Sequence, residues 1–186
     1  MSIDDYRRRI DALDEQLVAL LNERARLAAE IGRQKEQEGR EAFDPVRERA
    51  VVEGISQKGG GPLRPQDLAS IYREVLSACR AVQRPLSVAY HGPEGSWGHA
   101  AARGFFGSAV TFTPRPDIPS VFDAAERAQA DCAVVAIENS TEGQVGATLD
   151  RLVDTPLRVC AEVFLDIRHC LMGAGPPEQV RRVYSF

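Results

Sequence analysis

Arg7, Arg24 and Lys35 are the first residues of this 186-residue chain whose type and spacing could do chemistry. A guanidinium offers a fork of donors that matches a carboxylate, and an ammonium is a compact charge, so the set suits a small anion. On a helix, Arg24 and Lys35 are about three turns apart, on nearly one face and about 16 Å from each other. Arg7 and Arg24 are about 25 Å apart along the axis and about 100° round it. A straight helix cannot bring Arg7 and Arg24 of one chain to the same small ligand. If both are ligand groups, Arg7 serves a site completed by another subunit. The plainer reading is that each is a solvated arginine, and Arg8 and Arg9 are read that way.

Two glycine-bearing loops form a second kind of feature: Gly92-Pro93-Glu94-Gly95-Ser96 and Glu138-Asn139-Ser140-Thr141-Glu142-Gly143. Each follows an apolar run and leads toward a helix N-terminus, whose free N–H groups suit an anion. Turns alone also call for glycine, and Asn139 and Ser140 could simply cap the following helix. His91 is a loop residue, and neither His99 nor His169 has a second ligand at metal spacing; core or solvated histidine is the reading. Cys79, Cys132, Cys160 and Cys170 form no C-x-x-C pair and read as buried or free thiols in a reducing compartment. No metal and no cofactor is expected, and the location expected is cytoplasmic.

The elements that must position these residues begin with one long amphipathic helix from Ser2 to about Gln37. Its stripe is Ile10, Leu13, Leu17, Leu20, Leu21, Leu27 and Ile31, at helical and not strand period. Ser2 with Asp5 makes a capping box, and Gly39 ends the pattern. At about 35 residues the rod is about 50 Å long and needs an equally long partner to cover it. Gly39 to Phe43 reads as a short polar connection. Asp44-Pro45 opens a second helix as N-cap and first turn, broken at Gly59-Gly60-Gly61-Pro62. A third helix runs from about Pro65 to Gln83, with Leu68, Ile71, Tyr72, Val75, Leu76, Cys79 and Val82 as the expected buried stripe.

Beyond Arg84-Pro85 strands and helices alternate. Leu86–Tyr90, Val110–Phe112 and Cys132–Ile137 read as strands; Ala100–Phe106, Val121–Ala128 and Gln144–Val153 read as helices. Leu157–Leu171 is expected to hold one or two strands, and Arg182–Phe186 a further strand. Such alternation indicates a parallel α/β sheet, with ligands beyond the carboxyl ends of its strands. Apolar residues at 44 % and charged residues at 27 % describe a globular chain. The formal net charge of −4 argues against nucleic acid or a membrane surface as partner, and no segment is long and apolar enough to span a bilayer.

Two halves resemble known families. Residues 1–84 resemble the all-helical chorismate mutases, through Arg7 in Tyr-Arg-Arg-Arg-Ile, Leu13-Asp14, Arg24 in Leu-Leu-Asn-Glu-Arg, Lys35, Asp44-Pro-Val-Arg47-Glu48-Arg49 and Gln83. Residues 86–186 resemble the first part of prephenate dehydratase, through Gly92-Pro-Glu-Gly-Ser-Trp-Gly-His99, Ile137-Glu-Asn-Ser-Thr-Glu-Gly143 and Val183-Tyr-Ser185. Together they look like the bifunctional P-proteins of phenylalanine biosynthesis. The implied architecture is multi-domain: a three-helix mutase domain that dimerises as intertwined helices through its first helix, followed by a partial, periplasmic-binding-protein-like α/β dehydratase domain. Cys79 stands where the family often has serine, and Ser-Trp-Gly-His replaces Thr-Phe-Ser-His or Ser-Tyr-Ser-His. Phe186 follows Tyr-Ser where the family continues His-Pro-Gln.

The resemblance implies roles. Arg24, Arg47 and a second chain's Arg7 would hold the carboxylates of chorismate. Lys35 and Gln83 would donate to its ether oxygen, and Glu48 would accept from its ring hydroxyl. Cys79 would adjoin the substrate; Asp44 is explained by its N-cap position alone, with ligand contact left open. Glu138, Asn139 and Thr141, with Ser185 opposite, would line the remnant of a pocket for prephenate. The family's Thr-Arg-Phe segment and regulatory domain are absent from the sequence. The expectation is therefore a complete mutase, no dehydration of prephenate, and a loose, locally unstable or association-prone second half, while residues 1–83 fold with their dimer partner. A ligand-binding or interaction module carried on a helical dimeriser is the rival reading, and a fragment of a full bifunctional enzyme a third.

Overall fold

The structure, a computed structural model, describes residues 1–58, 60–141, 143–168 and 170–183. Ser185 and His169, named above, lie outside them. Helix α1 is Ile3–Gln37, and both halves of its capping box are present: the Ser2 hydroxyl accepts from Asp5 N–H, and the Asp5 carboxylate from Ser2 N–H. Helix α2 is Pro45–Gln57, with the Asp44 carboxylate accepting from Arg47 N–H at 2.9 Å. Helix α3 is Pro65–Gln83. It packs against both α1 and α2.

The α/β part is a three-stranded parallel sheet in the order β2-β1-β3, from β1 (Ser87–His91), β2 (Thr111–Arg115) and β3 (Cys132–Val134). Helices α4 (Trp97–Phe106), α5 (Ile118–Glu126) and α6 (Gly146–Asp154) accompany it. Strand β1 is central, and both of its faces are covered, which is why it reads as a continuous apolar run. Val88 and Tyr90 point to one side, with Leu86, Ala102 and Phe106. Ala89 points to the other, with Val121, Ala124 and Ala130.

Several expectations need correction. Residues 157–168, 170 and 171 carry no strand, only irregular chain with Val159, Phe164, Leu171 and Met172 largely exposed. A strand exists by pairing, and among the described residues no strand pairs with this segment. Arg182 and Val183 are likewise irregular. Ile71 and Val82, assigned to the buried stripe of α3, are exposed. The fully covered face of α3 is instead Leu76, Ser77, Cys79 and Arg80. Phe43, placed in a polar connection, packs on Phe105 and Phe106 with ring centroids at 6.4 and 5.3 Å. The second glycine loop does not run straight into a helix. It forms a two-residue antiparallel hairpin, β4 (Glu138–Asn139) and β5 (Gly143–Gln144), before α6 begins. Within a single chain the sheet holds fully buried side chains, while α1 has one buried residue, Ala28.

Candidate functional site

The helical candidates are built from the meeting of α1 and α3. Gly32 of α1 faces Gln83, and a Cβ there would lie 2.9 Å from the Gln83 Cβ. Only glycine lets the two helices approach so closely. One turn further along α1 the Lys35 ammonium, half-buried, donates to the Ala42 carbonyl at 2.9 Å. An ammonium has three donors, so two remain. The Gln83 side-chain oxygen is buried and has no hydrogen-bond partner among the described residues.

Glu48 comes from the first turn of α2, where Asp44 and Pro45 set the start of the helix. Its carboxylate is paired with the Arg80 guanidinium of α3, with Nη1 2.6 Å from each oxygen. Arg80 thus links Glu48 to the helix that carries Gln83 three residues later. Cys79 is buried beside it in sequence, with 5 % of its surface exposed. Arg24 is half-buried, and the Arg47 side chain is exposed.

Arg7 stands apart from this group. It pairs with Asp4 at 3.3 Å on an exposed turn of α1. Around it Ile10, Leu13, Leu17 and Leu20 are each more than half exposed. The structure thus brings Gln83 to the Lys35 face of α1 and joins Glu48 to α3, and leaves Arg7 remote within one chain. Sequence reading passed over Arg80 and Phe43. The signal for Arg80 is its spacing of three from Gln83, which puts both on one face of α3.

In the α/β part, the first glycine loop leads into α4. Ser96 caps α4 by accepting from His99 N–H at 3.3 Å. His99 is a core histidine, stacked on Tyr90 at 4.9 Å and edge-on to Phe112, with Nδ1 accepting from Gly95 N–H. Burial raises the Tyr90 phenol above its ordinary range, with Glu94 adding to it. A cleft of about 280 Å³ opens here, bordered by Tyr90, His99, Arg103 and Ser108. A larger hollow of about 830 Å³ is lined by residues between Cys170 and Val183 and touches none of the candidates among the described residues. Burial, with Cys160 and Asp131 adding, pushes the Cys132 thiol up to about 12, so it is no nucleophile at neutral pH.

Around the second loop, Glu138 and Thr141 are exposed and Asn139 half-buried. The Asn139 side chain accepts from Thr141 N–H at 2.8 Å, closing the turn of the hairpin. It therefore does not cap α6, whose N-cap is Val145 without a side-chain bond. Helix α6 is held instead by Thr148, whose hydroxyl donates to the Ala136 carbonyl at 2.6 Å. Among the described residues no cluster of His, Cys, Asp or Glu could hold a metal ion, and no helix is long and apolar enough to cross a membrane.

A helical unit with one packed polar seam, followed by a parallel α/β unit, is what two family models match in turn. That for chorismate mutase type II covers residues 6–84, and that for prephenate dehydratase covers residues 88–186. The chain belongs to the prephenate dehydratase family and carries a chorismate mutase segment ahead of it. Among curated relatives, the bifunctional chorismate mutase/prephenate dehydratase of Pseudomonas aeruginosa is 41 % identical over 186 residues, covering 96 % of this chain and 51 % of its own length. The protein of the same description from Neisseria gonorrhoeae is 43 % identical over 183 residues, covering 97 % and 50 %. This chain spans about half the length of these relatives. A solved chorismate mutase from Thermus thermophilus is 27 % identical, covers 44 % of this chain and 92 % of its own, and has a TM-score of 0.43.

Proposed function

We propose that the helical unit is a chorismate mutase, converting chorismate to prephenate on the way to phenylalanine, and that it works as a cytoplasmic homodimer. The observation that carries this reading is the packing of Gln83 on Gly32, which sets its amide, whose NH2 group is the donor, one turn of α1 from Lys35. The rearrangement is intramolecular, so the protein supplies position and fixed charge and no nucleophile, acid or base. Arg24 and Arg47 take the substrate carboxylates together with Arg7 of the partner subunit. Lys35 and Gln83 donate to the ether oxygen as negative charge grows on it. Glu48 accepts from the ring hydroxyl. Asp44 starts α2 and so places Arg47 and Glu48, and Cys79 forms part of the floor.

The homodimer is supported by α1, whose apolar stripe from Ile10 to Ile31 lies bare in one chain over about 30 Å. The free state of Cys79, Cys132, Cys160 and Cys170 agrees with a reducing compartment. For the α/β unit the family reaction is loss of carbon dioxide and the ring hydroxyl from prephenate. Glu138, Asn139, Thr141 and Ser185 are the proposed remnant of that pocket. Expelling hydroxide needs a positioned acid, yet Glu138 lies exposed on a two-residue hairpin. Mutase activity alone is therefore proposed for this chain.

The test is subunit complementation. An Arg7→Ala chain and an Arg24→Ala chain are each expected to be nearly inactive on chorismate. Mixed and re-equilibrated, they form heterodimers in which one of the two sites is intact, and activity returns. No recovery in a mixture shown to contain heterodimer refutes the shared site, and no consumption of chorismate by the wild-type chain refutes the activity.

A further inference from the structure

Arg80 is the most deeply buried charged side chain of the described residues, 3 % exposed, and none of the roles given above uses it. Its surroundings come from three parts of the chain. Nη1 reaches both oxygens of Glu48 on α2 at 2.6 Å. Nη2 donates to the carbonyl of Phe106, the last residue of α4. The guanidinium carbon lies 5.2 Å from the Phe43 ring centroid and 5.9 Å from that of Phe106. The end of α4 suits a cation twice over: its last carbonyls lack helical partners, and the helix dipole is negative there.

Two more residues on the same face of α3 grip the same loop. Ser77, fully buried, accepts from Ala109 N–H at 3.1 Å. The Glu74 carboxylate accepts from Ser108 N–H at 3.1 Å and from its hydroxyl at 2.6 Å. Gly107, between them, is in the left-handed region at φ 77°, and a Cβ there would meet the Ser77 Cβ at 2.5 Å. Glu74, Ser77 and Arg80 are spaced by three and form one row along the helix.

We propose that Arg80 is a positioning residue for Glu48, and that its anchor is the 106–109 loop of the α/β unit. The inference rests on the mutase reading above. A carboxylate on the first turn of α2 has several rotamers, and a short side-chain network must select one if it is to meet a ring hydroxyl. Arg80 makes that selection while leaving Glu48 free lone pairs for a ligand. Because Phe106 holds the other end of the fork, the α/β unit takes part in building the mutase site without touching substrate. Removing only the Glu48 partner would leave a buried unpaired cation, whereas replacing Arg80 by an apolar chain of similar length between two phenyl rings is tolerable to the fold.

The full chain serves for the test, as wild type, R80M, R80K, E48Q and E48Q/R80M. R80M should lower kcat/KM for chorismate about tenfold, with R80K recovering part of that loss. In the E48Q background the same R80M change should cost less than about twofold, because its effect passes through Glu48. Amides 107–109 should exchange about tenfold faster in R80M while those of β1 keep their protection. Equal losses from R80M in both backgrounds overturn the positioning role, and unchanged exchange at 107–109 overturns the anchor. If wild type consumes no chorismate, the function proposed above fails by itself, and exchange alone decides. In that case E48Q should loosen 107–109 nearly as much as R80M, and an E48Q chain with wild-type exchange there overturns the proposal.

Discussion

The two units solve the problem of covering apolar surface in opposite ways. The sheet of the α/β unit buries its central strand on both faces within a single chain, down to full burial at Val88, Ala89 and Val121. The helical unit has no such interior. Along α1 the leucines and isoleucines that give the helix its period stand more than two-fifths exposed, from Ile10 to Ile31. The difference follows from shape. A sheet with helices on its faces encloses volume as it forms, whereas a rod of 35 residues presents a stripe that no neighbour in the same chain is long enough to cover. In the proposed homodimer, stability of the first unit would be a property of two chains, while the sheet core of the second lies within one.

The largest expected effect breaks the helical side of this contrast. Leu17→Asp places a charge in the bare stripe of α1, and two symmetry-related copies each lose the burial of one leucine. The cost to association is about 3–6 kcal/mol, enough to give monomers by sedimentation, lose helical circular dichroism and leave the Trp97 environment in the α/β unit unchanged. A Leu17→Asp chain that still dimerises would break the comparison.

On the other side, Phe122→Ala empties a 3 % exposed site in the sheet core, at about 3–5 kcal/mol. Denaturant unfolding should show this loss independent of protein concentration, since the core lies within one chain. A concentration-dependent midpoint shift would join the two units into one cooperative dimer. Gln83→Ala tests chemistry and not assembly: turnover of chorismate should fall about 10²–10³-fold with little change in dimerisation.

The smallest effect sharpens the boundary between the units. Glu74 is held below its ordinary carboxylate value of 4.5, first by the Ser108 hydroxyl and then by the Ser108 N–H. A carboxylate with a lowered folded pKa stabilises above its unfolded value, and that contribution disappears as pH falls through the folded one. Wild type should therefore exceed Glu74→Gln in stability at neutral pH, with the gap closing below about pH 4.5. A gap that persists at pH 3 would show that the hydrogen bonds to residue 108 do not depend on the charge.

Much of this arrangement was legible in local signals. Ser2 with Asp5, Asp44 with Pro45, and Ser96 ahead of α4 each start a helix where side-chain oxygens meet free N–H groups. Those contacts span three residues, so sequence alone exposes them. Lys35 could be picked out by type and spacing, Glu48 and Gln83 only through the family resemblance, and the remoteness of Arg7 follows from helix arithmetic alone. Leu157–Leu171 misled because its composition is that of a strand, and a strand is defined by the neighbour it pairs with.

Periodicity, capping and charge thus determined the three helices, the alternation that follows them, and which cations can share a ligand. Tertiary structure decided what no window of sequence contains. Phe43 leaves its connection to pack at a tilt on Phe106, and Arg80 turns inward from α3 because Glu48 and the end of α4 converge on it from 32 residues before and 26 residues after. A buried guanidinium is stable only where separate parts of the chain supply its partners. That convergence exists only once the helical and α/β units have packed together.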